Sequence, residues 1–447
     1  MWGRAPSLVQ PSAARQSRHP VGGPGSASTR CELTWVIRHS RNLLAVEGSR
    51  YNLKTVSTTA AEPEIRHATR PTWAEVSLST LRENFRVVQN HLGRNVTICA
   101  VVKADAYGHG AVPCARALEA EGARWMGVTS LDEGIPLRSA GIKTRILLMT
   151  GFWRGEEEEI VRLSLTPTVW EPGQIELLEK AAARAGQENL PVHLKIDTGM
   201  GRLGVSVEDL PKIVAALKSS PHLLLEGLAT HLASSEVLDA PSVDEQLENF
   251  DNVRRLLKSE GFNPPLVHAA NTSAVISRPA SWHKMVRPGA ALYGYYLPFE
   301  RAGREVSGSA LRLDVKPVLT WKTRILSLRD MRADQALGYG GTYVTKAPTR
   351  IAILPVGYAD GFNRHVSSRG RVIVREHYAP IVGRISMDLT LVDVTGLPGV
   401  SVGDEVILLG SSDGLHFDAS EHAALANTIL YEILCGISKR VPRRYNE

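Results

Sequence analysis

From residue 73 onward, apolar residues arrive in two rhythms, and the change from one to the other divides the chain. Trp73-Ala-Glu-Val-Ser77 alternates like a short strand. Behind it Leu81, Phe85, Val88 and Leu92 recur on one face of a helix that Ser79 would cap. Strand-like apolar runs then return near 96–102, 125–129, 145–149, 166–170, 191–197, 223–230, 266–270 and 285–292. Their composition and lack of alternation fit strands buried on both faces of a parallel sheet. Helical stretches separate most of them, at 155–164, 174–185, 207–219 and 245–260. Eight β-then-α units in succession predict a (β/α)8 barrel. A doubly wound open sheet needs a reversal of strand order that a sequence does not display, and it ranks second.

The helical rhythm stops after about residue 305. Short β-rich runs follow at 315–325, 350–355, 370–375, 381–385, 389–394 and 405–409, separated by turn residues, and a final helix is expected at 419–435. This pattern predicts a mostly antiparallel β-domain. The fold expectation is therefore α/β: an N-terminal TIM-like (β/α)8 barrel over 71–305, then a C-terminal β-rich domain over 306–447. The short strand at 73–77 can pair with either part.

Residues 1–70 follow neither rhythm. They are rich in Arg, Ser, Ala and Gly, and hold ten Lys/Arg against four Glu. Disorder is the default reading of such a segment. An organelle transit peptide or a wrongly assigned start codon would leave the same composition, although no second methionine precedes Met126. A dispensable extension is the expectation. This segment also carries the whole net charge of +6, because the other 377 residues hold 42 basic and 42 acidic groups. The folded body thus has no electrostatic footprint for nucleic acid. No run approaches the ~18 uninterrupted apolar residues of a membrane span. The four cysteines show no C-x-x-C spacing, which fits a reducing compartment and argues against a structural metal site.

In a barrel of this kind the chemistry belongs at the carboxyl ends of the strands. The first strand runs out into Val101-Val-Lys-Ala-Asp-Ala-Tyr-Gly-His-Gly110, which places Lys103 at the crevice. Desolvation there can free an ε-amine to attack a carbonyl. The fifth strand ends in His193-Leu-Lys-Ile-Asp-Thr-Gly-Met-Gly-Arg-Leu-Gly204, where Arg202 offers a fork for a carboxylate. The sixth ends in Ala229-Thr-His-Leu232, with His231 as an orienting group. The seventh ends in His268-Ala-Ala-Asn-Thr-Ser273, whose hydroxyls and amides suit a phosphate, and the eighth opens with Val286-Arg-Pro-Gly289. Each residue alone has an ordinary structural explanation. Their joint occurrence at the strand ends of one barrel is what points to a site.

With these motifs in hand, residues 71–447 resemble the alanine racemases, fold-type III enzymes dependent on pyridoxal 5′-phosphate (PLP). Further matching stretches are Leu337-Gly-Tyr-Gly-Gly-Thr-Tyr343, Val356-Gly-Tyr-Ala-Asp-Gly361, Gly383-Arg-Ile-Ser-Met-Asp388 and Tyr431-Glu432. The resemblance implies that Lys103 holds PLP as a Schiff base and that Tyr339, supplied by a partner subunit, is the opposing base. It implies that Tyr107, Thr272, Ser273 and Tyr431 surround the phosphate, that His231, Asn271 and Gly289 also bind the cofactor, and that Arg287 faces its pyridine nitrogen. Arg202 and the Met387 N–H, the latter again from the partner, would hold the substrate carboxylate. Lys195 stands where some members carry a carbamylated lysine that braces Arg202. Tyr358 would narrow the entrance together with Tyr431, and Asp388 is a supporting residue of the site. The family's Asn-Ser pair is Asn271-Thr272-Ser273 here, so either hydroxyl could meet the phosphate. Ser386 stands where cysteine is frequent.

The implied reaction interconverts L- and D-alanine in the cytoplasm of a bacterium, supplying D-alanine for peptidoglycan, from a homodimer with shared active sites, no metal and no membrane partner. Two acid–base groups on opposite faces of Cα are the minimum for inverting a stereocentre. A phenol with an ordinary pKa of ~10 is a weak base at neutral pH, and His231 with Arg202 are the candidates to assist it. An arginine beside the pyridine nitrogen keeps its own proton and leaves that nitrogen bare. A racemase of broader specificity on the same scaffold is the nearest alternative, and a non-catalytic PLP carrier the alternative from another class. A decarboxylase of the same fold type fits less well, since the sixth strand ends in Thr230-His-Leu-Ala.

Overall fold

The computed structural model describes residues 70–447 apart from 307, 309 and 310. The expected extension, up to residue 69, lies outside the described residues. The first strand, β1 (Thr72–Ser77), pairs antiparallel with Leu319–Arg324 and parallel with Arg443–Asn446. From its first described strand in the β-rich sheet the chain goes on to build the barrel, and then returns. The helix after β1, Leu78–Leu92, is capped two residues earlier than expected: Ser77 Oγ accepts from the Thr80 N–H at 3.2 Å, and Ser79 lies in the first turn. Leu81, Phe85, Val88 and Leu92 are its buried stripe, as the spacing predicts.

Eight parallel strands make the barrel: β2 (Thr97–Val101), β3 (Trp125–Val128), β4 (Arg145–Leu148), β5 (Thr166–Val169), β6 (Leu190–Lys195), β7 (Leu223–Ala229), β8 (Leu266–His268) and β9 (Met285–Val286). Hydrogen-bonded neighbours run β8-β7-β6-β5-β4-β3-β2-β9. Closure between β8 and β9 rests on two bonds just beside the strands, Lys284 N–H to the Val267 carbonyl at 3.2 Å and Arg287 N–H to Ala270 at 2.9 Å. The ring is thus nearly, not fully, laddered. The eighth strand is far shorter than the apolar run at 285–292: Pro288 has no N–H to give a ladder, and Ala290–Tyr293 coil into a 3-10 turn. Helices including Pro172–Ala185, Leu210–Lys218 and Pro241–Ser259 coat the outside, burying Leu178, Ile213 and Phe250 against the strands.

Beyond the barrel the structure is mostly antiparallel, as expected. One sheet runs His377–Pro380, Arg371–Val374, Glu405–Ser412, Leu319–Arg324, β1 and Arg443–Asn446, with Leu415–Phe417 added on Glu405–Ser412. A second holds Ser327–Met331, Thr349–Leu354 and Thr390–Asp393. A short hairpin, Ala336–Leu337 with Tyr343–Val344, carries Tyr339 at its tip. Two expectations need correction. No strand forms at 381–385, where only Ile381 makes a bridge; Gly383 takes φ +69, which ends extended chain. The helix expected at 419–435 is two, Ala419–Ala426 and Leu430–Gly436, because Asn427 turns left-handed at φ 56. Among the described residues no helix is long and apolar enough to cross a membrane.

Trp321 anchors the larger sheet. Its side chain is fully buried and meets Phe362 edge-on, ring centroids 5.7 Å apart. Trp321→Ala is expected to cost about 3–5 kcal/mol, seen as a lower urea midpoint at an unchanged slope. An unmoved midpoint would remove Trp321 as the anchor.

Candidate active site

A cavity of about 550 Å³ opens at the carboxyl ends of the barrel strands. It gathers Lys103, Tyr107, Lys195, Arg202, His231, Asn271, Thr272, Ser273, Arg287, Gly289 and Tyr431. Residues from the ends of β2, β6, β7, β8 and β9, and from the Leu430–Gly436 helix, thus meet in one place. Tyr339, Met387, Tyr358 and Asp388 do not line it. The first three are 70%, 52% and 43% exposed on the β-rich part of the same chain.

Lys103 reaches the cavity through an unusual backbone. Ala104, Asp105, Ala106 and Tyr107 all take positive φ, 51 to 55°, making a left-handed turn directly after β2. Each such residue costs roughly 1–2 kcal/mol, so the turn must be held from outside. Glu133 does this at one end, accepting from the Ala104 N–H at 2.7 Å and from the Thr129 N–H and hydroxyl at 2.7 and 2.8 Å. Asp105 accepts from the Ala111 N–H at 2.7 Å at the other. Gly108 lets the turn press on the Leu430–Gly436 helix, since a Cβ there would lie 2.3 Å from the Leu434 carbonyl oxygen. The turn brings both Lys103 and Tyr107 to the cavity wall.

The amines here are poised toward their neutral forms. Burial lowers the Lys103 pKa, and Arg202 and, more weakly, Arg287 push the same way against the opposing pulls of Glu133 and Cys435. Lys195 is brought down to about 8 by burial, then by Arg287 and Arg202. Arg287 is itself sealed, and burial lowers it only to about 10, so it stays charged at neutral pH. Its guanidinium donates to the carbonyls of Thr230 (2.7 Å), His268 (3.0 Å) and Ala269 (3.0 Å) and to His268 Nδ1 (2.6 Å). His231 Nδ1 lies 3.4 Å from Arg287 Nη2. Burial, Arg287 and Arg202 hold His231 down to about 3, so it is a neutral imidazole.

On another wall Asn271 caps the short Thr272–Ser277 helix, accepting from the Ala274 N–H at 3.0 Å and the Ser235 hydroxyl at 2.8 Å. Thr272 Oγ1 stands 3.0 Å from the Gly289 N–H. Gly289 must lack a side chain, because a Cβ would fall 2.3 Å from the Tyr107 hydroxyl. Tyr107 and Tyr431 face each other with centroids 5.9 Å apart. Burial raises both phenols, Tyr431 to about 12, so each remains a donor. Opposite, Asp197 takes the backbone N–H groups of Gly199, Met200, Gly201 and Arg202 at 2.8 to 3.1 Å, which pins the loop bearing Arg202.

The exposed residues sit on braced loops. Tyr358 and Ala359 N–H groups donate to the Ser386 and Met387 carbonyls at 3.0 Å each. Asp360, buried at the base, receives a bidentate bond from Arg70 at 2.8 Å, and Arg440 reaches Asp388 at 2.7 Å. The pattern of the chain did not expose Glu133, although Ser130-Leu-Asp-Glu133 has the S-x-x-E spacing of a helix start. Cys435, one helical turn after Tyr431, also lines the cavity without having been singled out.

The alanine racemase N-terminal domain family matches residues 76–297, and the alanine racemase C-terminal domain family matches residues 318–445. The alanine racemase of Halothermothrix orenii is 42% identical over 380 residues, covering 85% of this chain and 98% of the relative. That of Sorangium cellulosum is 42% identical over 388 residues, covering 85% and 100%. The crystal structure of alanine racemase from D-cycloserine producing Streptomyces lavendulae superposes with a TM-score of 0.78 at 33% identity, over 85% of this chain and 98% of that one.

Proposed function

The chain belongs to the alanine racemase family, and we propose that it interconverts L- and D-alanine with PLP held in the strand-end cavity, Lys103 and Tyr339 serving opposite faces of Cα. The observation that carries this reading is the cavity's composition: a desolvated amine, a sealed arginine, and donors gathered around Gly289. An aldehyde needs an amine without its proton, which burial and two arginines favour at Lys103. A phosphate needs donors, and the phenols of Tyr107 and Tyr431 are of that kind, as is the Thr272 hydroxyl, whose oxygen accepts from the Gly289 N–H and whose proton is left to give. Thr272 rather than Ser273 is the better contact, since its oxygen already stands at the Gly289 N–H. A pyridine nitrogen needs a donor that keeps its proton, and Arg287 remains charged. The residues fit the group.

Bound there, PLP would delocalise the electron pair left when Cα loses its proton. Lys103 Nζ would take or return that proton on one face, and Tyr339 Oη on the other. Arg202 would hold the carboxylate, its loop pinned by Asp197, with the Met387 N–H as a second donor. His231 would aid the phenol as a neutral N–H donor and not as a cation: Arg287 faces its Nδ1, which leaves the proton on Nε2. Tyr339, Tyr358 and Met387 are exposed outside their own chain's cavity. That exposure supports a dimer in which each copy completes the other's site, with Asp388 and Arg440 stiffening the contributed loop. The family's role in wall synthesis would then place the product, D-alanine, in the bacterial cytoplasm.

Borohydride treatment of holoprotein, followed by peptide mapping, is expected to leave a pyridoxyl group on Lys103, and the protein should abolish the optical rotation of L-alanine. Holoprotein unlabelled at Lys103 would sink the assignment. Mixing Lys103→Ala with Tyr339→Ala subunits should restore about a quarter of wild-type activity, since half the dimers in a symmetric two-fold assembly would be hybrids with one intact site. No rescue after verified exchange would count against shared sites. Lys195, neutral above about pH 8, should add carbon dioxide more readily as pH rises, because only the free amine forms a carbamate. With ¹³C-bicarbonate, a carbamate resonance should grow from about pH 6.5 to about pH 8.5 and vanish in Lys195→Ala; its persistence in the variant would clear Lys195 of this role.

A further inference from the structure

Behind Arg287, polar side chains run through the barrel interior toward the amino end of β4. Arg287 Nη1 donates to His268 Nδ1 at 2.6 Å, and His268 Nε2 lies 2.9 Å from His193 Nδ1. His193 Nε2 faces Glu226 Oε2 at 3.6 Å. Glu226 is gripped by both terminal nitrogens of Arg145, one of them at 2.7 Å, and that guanidinium lies over the Trp125 ring, 4.1 Å from its centroid. His193 and His268 are 0% and 1% exposed.

Only one arrangement of protons satisfies this chain. A guanidinium can only donate, so His268 Nδ1 must be bare and its proton sits on Nε2. His193 Nδ1 is then the acceptor, and His193 carries its own proton on Nε2, aimed at Glu226. At 3.6 Å this last link is too long for a hydrogen bond; it is a carboxylate charge facing an N–H dipole in a sealed, weakly screened interior. Gly227 makes room for the ring, since a Cβ there would lie 2.3 Å from His193 Cγ. The chain is not a route for protons. Moving each proton one place would leave Arg287 neutral and Glu226 protonated, and groups near about 10 and about 2 oppose that transfer.

We propose that Glu226, acting through His193 and His268, is a positioning residue that fixes how Arg287 is presented to the racemase cavity. The inference rests on the function proposed above. Without the carboxylate, His193 is free to carry its proton on Nδ1, where it opposes the His268 N–H. His268 then shifts its proton to Nδ1 and confronts Arg287 with a second donor. The carbonyls of Thr230, His268 and Ala269 still hold the guanidinium, so it turns without leaving.

The test compares holoenzyme variants by steady-state kinetics and by ¹⁵N-histidine NMR, which separates bare from protonated ring nitrogens. Glu226→Leu is expected to lower kcat about tenfold, with KM for alanine within about twofold, as for loss of outer support to a catalytic group, and to give His268 mixed tautomers. Glu226→Gln, whose amide oxygen can still face the His193 N–H, should restore a single tautomer and most of kcat. If Glu226→Leu does not fold, His193→Phe keeps the ring's bulk, removes both nitrogens, and should reproduce the kinetic loss and the mixed His268 signal. Wild-type kcat and tautomers in Glu226→Leu or His193→Phe would overturn the proposal, as would Glu226→Gln no better than Glu226→Leu. A wild-type protein inert toward alanine would instead overturn the function, while the histidine signals would still report on the chain.

Discussion

Four basic side chains, Lys103, Lys195, Arg202 and Arg287, share one cavity, and the rest of the site follows from that crowding. Burial and mutual repulsion lower the two amines and leave the Arg287 guanidinium charged. Glu133 and Asp197 relieve it only in part. Asp197 is consumed by four backbone N–H groups, and Glu133 by the turn beside Lys103. Both act as clamps on backbone, which leaves the positive field for an anionic guest. A cavity of this kind favours a phosphorylated, carbonyl-bearing molecule and a carboxylate substrate over neutral ligands.

The same constraint bears on the proposed division of the chemistry between two surfaces. The barrel supplies the amines and most of the anion donors, while the proposed second base, Tyr339, lies on the β-rich part. Tyr107 and Tyr431 are held as neutral donors by burial. Tyr339 is displayed on a hairpin tip, and Met387 on a loop tied through Tyr358 and Asp360 to Arg70 and Arg440. Exposed apolar and phenolic side chains on such a stiff frame lose little conformational freedom when a second surface covers them.

Much of this was legible in the chain. The β–α rhythm foretold the barrel, and ten residues of the segments at its strand ends do line one cavity, with Tyr431 of the final helix. What escaped is what tertiary contacts decide. Nothing in Ala104-Asp-Ala-Tyr107 announces a left-handed turn; no glycine marks it, and it exists because Glu133, Asp105 and the Leu434 carbonyl force it. The partner of β1 depends on strands some 240 and 370 residues away in the chain, beyond any local pattern. The eighth strand shrank because an apolar run reports burial, while Pro288 decides hydrogen bonding. His193 and Glu226 looked like ordinary members of strands, because alternation cannot tell a polar side chain facing a barrel interior from one facing solvent.

The incomplete seam between β8 and β9 ties these observations together. A fully laddered barrel would spend its backbone carbonyls on neighbouring strands, and a buried guanidinium would then cost far more than its charge could return. Here β8 has three residues and β9 two, and Arg287 donates to the Ala269 carbonyl just past β8, to the Thr230 carbonyl just past β7, and to the His268 carbonyl, which also accepts from the Thr230 N–H. Carbonyls where the strands run out are therefore what solvate the cation. The short seam also sets the cation beside Gly289 and the capped turn at Asn271, which continue the same two chain segments. The positive centre and the Thr272 hydroxyl are neighbours because both hang on the chain that leaves the short β8 and β9.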